Sequence, residues 1–163
     1  MKNRTLSKKP APAAAYAAGI GIALGVGIVS ALASMDGMKR FAELEQPPLS
    51  PPGWLFPVVW TALYTLMGIS AARVYLKNTM DTRPALLVWA VQLFVNALWS
   101  PIFFSLGLRL VAFVWLLILI ALVIKMIADF KRIDIPAGNL QFPYLAWLLF
   151  AAYLNFGTFW MNR

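Results

Sequence analysis

Residues 110–124 read LVAFVWLLILIALVI, fifteen consecutive positions without a charged, amide or hydroxyl side chain. Extended to about 108–128, the run reaches the roughly 20 residues that an α-helix needs to cross the hydrocarbon core of a bilayer. Four more apolar runs lie around it, at about 13–34, 53–76, 84–106 and 142–160. The chain is therefore expected to be an all-α membrane protein, a bundle of five transmembrane helices. Residues 1–12 (MKNRTLSKKPAP) read as a basic disordered tail, and 13–163 as a single five-helix transmembrane domain.

Composition agrees. Of 163 residues 61% are hydrophobic and only 12% charged, where a soluble domain carries about 25% charged residues. Five spans use about 100 residues, which leaves tails and short connections but no room for a soluble domain. The first run exceeds the 7–15-residue core of a signal peptide, despite a basic start and an Ala31-Leu32-Ala33 triplet, so it reads as a retained helix.

The residues that are absent restrict the chemistry. There is no cysteine and no histidine, which rules out thiol chemistry and removes the commonest metal ligand and general base. Asp36, Asp81, Asp129 and Asp134 fall at helix ends or in loops, where a solvated charge is the expectation. No catalytic constellation, no metal site and no required cofactor are expected. An exporter driven by an ion gradient would place ionisable groups within the membrane, and the apolar runs carry no carboxylate, histidine or cysteine.

The net charge is +8, from 14 Lys and Arg against 6 Asp and Glu. These cations sit at the ends of the apolar runs, which suits topology control and anionic lipid headgroups. Without a basic stripe or an RNA-binding motif, no nucleic acid is expected as a partner. With five spans, ten cations fall on the amino-terminal side (Lys2, Arg4, Lys8, Lys9, Arg73, Lys77, Arg83, Lys125, Lys131, Arg132) and four on the other (Lys39, Arg40, Arg109, Arg163). That asymmetry predicts an N-terminus inside, with the loop after the first span facing outward. An integral protein of the bacterial cytoplasmic membrane is expected.

Within the spans the informative residues are small, aromatic or amide. Gly21 and Gly25 form a GxxxG pair, a site of close helix approach that serves either packing within the chain or a dimer seam. Residues 35–52 read as the longest loop, and Pro47, Pro48, Pro51 and Pro52 force a stiff, extended approach to the second span. In the third span Trp89, Gln92, Asn96 and Trp99 are spaced to line one face. Amides in lipid need partners, so that face must meet a neighbouring helix or a cavity. Pro57, Trp60, Tyr64 and Gly68 share a face of the second span; Trp147, Ala151 and Leu154 share one in the fifth, with Tyr144 and Asn155 beside it. Trp54, Trp160 and Trp89 suit interfacial anchoring. Trp60 and Trp147 lie deeper, so the aromatic faces are either a pocket for a flat, largely apolar ligand or ordinary helix packing.

The stretch PPLSPPGWLFPVVWTALY at 47–64 resembles the signature of the TspO/MBR family, the tryptophan-rich sensory proteins and translocator proteins. QLFVNALWSPIFF at 92–104 resembles that family's third-helix motif, and PYLAW at 143–147 with Leu154-Asn155-Phe156 its fifth. The family's loop-1 Trp-Tyr-Asp triplet is replaced by Arg40-Phe41-Ala42. The cholesterol-recognition pattern is not met, because no Lys or Arg follows Tyr153 before Arg163.

The resemblance implies a five-helix bundle, commonly a homodimer, with a ligand pocket beneath loop 1. It implies a receptor or carrier in contact with membrane lipid, binding tetrapyrroles (protoporphyrin IX or haem) or other hydrophobic small molecules. An enzyme that degrades porphyrin with light or oxygen is the alternative, and an exporter of small hydrophobic compounds a second one. By position Trp60, Tyr64, Asn96, Trp99, Trp147 and Ala151 match pocket residues. Pro51 and Pro52 match the hinge of a loop lid that includes Lys39, Arg40 and Phe41. Lys39 and Arg40 would meet the propionates of a porphyrin, or else stand as solvated charges beside Glu43 and Glu45.

Overall fold

The computed structural model describes residues 11–41 and 43–163. Residues 1–10 of the basic tail lie outside the described residues, as do Ala42 and the side chain of Arg40. The regular elements among the described residues are all helical, in the order α1 (Pro12–Leu32), α2 (Met35–Phe41), α3 (Leu55–Lys77), α4 (Thr82–Ser100), a π-helical turn (Pro101–Ser105), α5 (Arg109–Ile133), α6 (Ile135–Asn139) and α7 (Phe142–Met161). Five helical segments are long and apolar enough to cross a membrane. The chain is an all-α integral membrane protein.

Local chemistry sets most of the boundaries. Pro12 opens α1 and Pro143 lies in the first turn of α7, where a missing N–H costs nothing. Helix α3 ends at Asn78, whose φ of 51° is the left-handed conformation that Asn tolerates at a helix end. Three expectations are corrected. The loop expected at 35–52 begins as helix α2, because Asp36 opens its first turn and Ser34 supplies a carbonyl to the Met38 N–H at 3.0 Å. The span expected at 84–106 changes geometry at Pro101, which cannot donate to the helical ladder; the Leu106 N–H bonds five residues back, to the Pro101 carbonyl, at 3.0 Å. Helix α5 continues to Ile133, past the expected end at 128.

Lipid tails are as apolar as Leu, so helices in a bilayer associate through close packing and internal hydrogen bonds. Helix α1 packs chiefly on α3, and glycine makes this possible. A Cβ on Gly19 would lie 2.5 Å from the Gly68 carbonyl oxygen, and one on Gly68 would strike the Ile20 backbone. Gly21 and Gly25 point elsewhere and would meet nothing within 4 Å, so the GxxxG pair takes no part in packing within the chain. Helices α4, α5 and α7 pack in sequence, whereas α7 meets α3 mainly through aromatic side chains. Loop 1, the 105–109 turn and the C-terminus gather at one end: Ser105 Oγ donates to the Ala33 carbonyl at 2.9 Å and the Glu45 N–H to Asn162 Oδ1 at 3.1 Å.

The opposite end is held by a carboxylate expected to be solvated. The Asp134 side chain is only 2% exposed; it lies 3.1 Å from Arg73 Nη2 and 3.7 Å from Lys77 Nζ. It also accepts from the Ala137 N–H at 3.3 Å, capping α6, while Ser70 Oγ donates to the Ala137 carbonyl at 2.6 Å. The turn from α5 into α6 folds this carboxylate against α3, which the sequence position alone did not suggest. Burial pushes the Asp134 carboxyl up, but the hydrogen bond from Arg73, the Ala137 N–H and the charges of Arg73 and Lys77 outweigh it and hold the group below its usual range.

Because the folded carboxyl titrates below its unfolded value, its contribution is complete above about pH 4 and is lost as pH falls through the folded value. Asp134→Ala is expected to cost about 2–3 kcal/mol at neutral pH, at or below the lower end for a buried pair because Arg73 and Lys77 are partly exposed. Thermal unfolding in detergent micelles checks this. The mutant should also lose the wild type's destabilisation as pH falls below about 4.

Candidate functional site

The centre of the bundle is organised by one face of α4. Trp89, Gln92, Asn96 and Trp99 are all buried, and three of them find polar partners on other helices. Asn96 Nδ2 donates to the Tyr64 hydroxyl of α3 at 3.1 Å. Gln92 Oε1 accepts from the Tyr144 hydroxyl of α7 at 3.0 Å, and Gln92 Nε2 lies 4.0 Å from the Met67 sulfur. Trp99 Nε1 donates to Asn155 Oδ1 at 3.2 Å, and Asn155 Nδ2 donates to the Arg109 carbonyl at 2.8 Å. Trp89, expected as a boundary anchor, is instead 7% exposed and its Nε1 has no partner. It lies on the same stripe as the two amides, and α4 is enclosed by α1, α3 and α5.

Aromatic rings fill the space between α3 and α7. Trp60 lies 5.4 Å from Tyr64 and 6.2 Å from Tyr144, centroid to centroid, and Trp147 lies 5.9 Å from Phe56. Gly27 of α1 admits the Tyr64 ring, which a Cβ there would overlap. This is the geometry of a hydrogen-bonded aromatic wall, apolar on its faces and polar only where amides and hydroxyls meet.

Beneath loop 1 the wall opens. The π-helical turn sets Phe103 and Phe104 at 4.9 Å from each other, and both contact Phe41 of α2, at 5.4 and 5.2 Å. Trp99 stacks on Phe103 at 5.3 Å. An inner cavity of about 30 Å³ lies against Trp99, Phe56, Ala151 and Asn155. An outer cleft of about 330 Å³ lies between α2 and the start of α5. The second half of loop 1 is fastened to α7: the Tyr153 hydroxyl donates to the Pro48 carbonyl at 2.9 Å, and Pro47 packs so closely on Gly157 that a Cβ there would come within 2.7 Å. Leu49, between these fastenings, has a φ of 68°, a strained value for a side chain with a Cβ.

The residues expected to form a site divide in two. Trp99, Ala151 and Phe41 line the inner cavity. Trp60, Tyr64 and Asn96 form the packed wall beside it, and Trp147 reaches it through Phe56. Pro51 is half-buried and Pro52 exposed on the approach to α3, and Lys39 is exposed and 3.9 Å from Asp36. Sequence reasoning missed Phe103, Phe104, Phe56 and Arg109 as lining residues. Pro101 directly after Trp99-Ser100 was the available signal, since a proline there displaces the following side chains from their helical positions.

Comparison with known proteins agrees with this architecture. The model of the TspO/MBR family matches residues 19–161. Protein CrtK of Rhodobacter capsulatus is 39% identical over 130 residues, 75% of this chain and 78% of its own length. The tryptophan-rich protein TspO of Chlorobaculum tepidum is 34% identical over 148 residues, 88% and 92% of the two chains. The translocator protein of Ovis aries is 33% identical over 131 residues, 78% of each.

The buried network predicts unequal consequences for two tyrosines. Tyr144→Phe strands the Gln92 carbonyl in the core and should cost about 1–3 kcal/mol. Tyr153→Phe, whose bond to Pro48 is exposed, should cost well under half as much. Thermal unfolding of both variants in the same detergent checks this; equal losses would mean the core bond has no special weight.

Proposed function

The chain belongs to the TspO/MBR family, and on that premise we propose that it is a membrane receptor or carrier for porphyrins, such as protoporphyrin IX or haem, and similar flat hydrophobic molecules. The observation that carries the reading is the aromatic wall of Trp60, Tyr64, Tyr144 and Trp147 beside a cavity reached from loop 1. Rings offered from two helices, with the amides tied to tyrosine hydroxyls and an indole N–H, suit a large apolar plane better than a polar substrate. Lys39, Arg40, Phe41, Pro51 and Pro52 act as the lid. With neither histidine nor cysteine in the chain, strong ligation of haem iron would need Tyr or Met, and ring stacking is the contact that carries affinity. The protein lies in a bacterial cytoplasmic membrane with its N-terminus inside, a placement supported by the ten-to-four distribution of cations.

We also propose a homodimer through the exposed face of α1. Gly21 and Gly25 are left open while Gly19 and Gly27 are used within the chain. Gly21→Leu with Gly25→Leu should shift sedimentation in micelles from dimer to monomer without lowering thermal stability. A dimer that persists in this variant would place the seam elsewhere.

Trp60→Ala or Trp147→Ala should weaken protoporphyrin IX binding by about 1–3 kcal/mol, the scale of a lost aromatic contact. Trp54→Ala, at a position 67% exposed, should have little effect. Fluorescence titration in the dark reads this, and equal effects at all three positions would sink the assignment. Repeating the measurement under light tests the enzymatic alternative: bleaching that requires Trp60 or Trp147 would favour porphyrin degradation over binding.

A further inference from the structure

The outer cleft carries two charges of opposite sign. Phe41, Phe103 and Phe104 line it, together with Glu43 and Arg109. Among the described residues no ion pair involves Arg109, and none of them gives its guanidinium a carboxylate partner. Its main chain is nonetheless fixed, because its carbonyl accepts from Asn155 Nδ2 at 2.8 Å and Asn155 in turn takes the Trp99 N–H at 3.2 Å. The backbone that carries this cation is therefore tied to the wall of the inner cavity. Lys39 differs: its side chain is 80% exposed, it stands 3.9 Å from Asp36, and it does not line the cleft.

Phe41, Phe103 and Phe104 also line the inner cavity, so these three rings are the partition between the two spaces. At about 330 Å³ the outer cleft sits at the low end of small-molecule sites, roughly 300–1,000 Å³. It has room for the edge of a planar ligand, with the body beyond the partition. A guanidinium at such an edge is a planar fork suited to a carboxylate.

We propose that Arg109 reads a carboxylate on the ligand, holding the acidic edge of a planar molecule in the outer cleft while its apolar body displaces the phenylalanine partition. The assignment rests on the porphyrin reading of the site and deepens it: the ligand class is a carboxylate-bearing planar molecule. Glu43, on the same cleft, opposes a dianionic edge and limits how strongly it is held.

The test compares protoporphyrin IX with its dimethyl ester by dark fluorescence titration of the full chain in uncharged micelles. Wild type should prefer the diacid. Arg109→Gln keeps the carbonyl that Asn155 holds; it should weaken diacid binding about tenfold, the scale of one charge-assisted hydrogen bond, and leave the ester unchanged. Arg109→Lys should restore part of the preference, and Glu43→Gln should increase it. Equal weakening of both ligands by Arg109→Gln, or no change in either, overturns the assignment to Arg109. If Trp147→Ala still weakens both ligands in that case, the porphyrin reading stands without it. A wild type that binds neither ligand removes both.

Discussion

Hydrocarbon offers the chain neither hydrogen bonds nor a hydrophobic incentive for helices to associate, and the remaining features of the bundle follow from that constraint. Two resources are left, van der Waals contact at short range and polar groups that satisfy one another. The first is spent where α1 meets α3 at Gly19 and Gly68. The second is concentrated on α4, whose Gln92, Asn96 and Trp99 reach Tyr144, Tyr64 and Asn155 on the flanking helices. Trp115 adds a bond from its Nε1 to the Val95 carbonyl at 2.8 Å, joining α5 to α4. Helix α4 is the hub because it carries the polar atoms that lipid cannot serve.

The two ends of the bundle use different chemistry. At one end Asp134 gathers Arg73, Lys77 and the start of α6 around a single carboxylate. At the other, the π-helical turn and α2 present phenylalanines to each other across small spaces. An ion cluster with several bonds to one group resists displacement. Rings meeting edge to face gain only about 0.5–1.5 kcal/mol per pair beyond their burial. The end with the cavities is thus also the end whose contacts are the less directional.

The number of spans and the α4 stripe were legible in the sequence because both are periodic properties of single segments. Trp89, Gln92, Asn96 and Trp99 share a face whatever the other helices do, and the need of amides for partners implied that the face was interior. Which residues would pair was not legible. Tyr144 and Gln92 are 52 positions apart, and only the packing of α7 across α4 brings them together. Asp134 misled for the same reason, since a carboxylate beside a helix end is ordinarily wet and only the α5–α6 turn dries it. Arg109 was read as one cation in a topological tally, and its place at the cleft depends on α2, a helix formed within what read as a loop.

The inner cavity holds only about 30 Å³, about the share of a single water molecule in the liquid. A larger occupant would need Phe41, Phe103 and Phe104 to part, at a cost set by the contacts these rings make with one another. Were that parting slower than encounter, ligands of different chemistry would load at similar rates once abundant. Their affinities would then diverge through residence time, set by the contacts each ligand makes once inside. A site built in this way would discriminate by how long it retains a ligand.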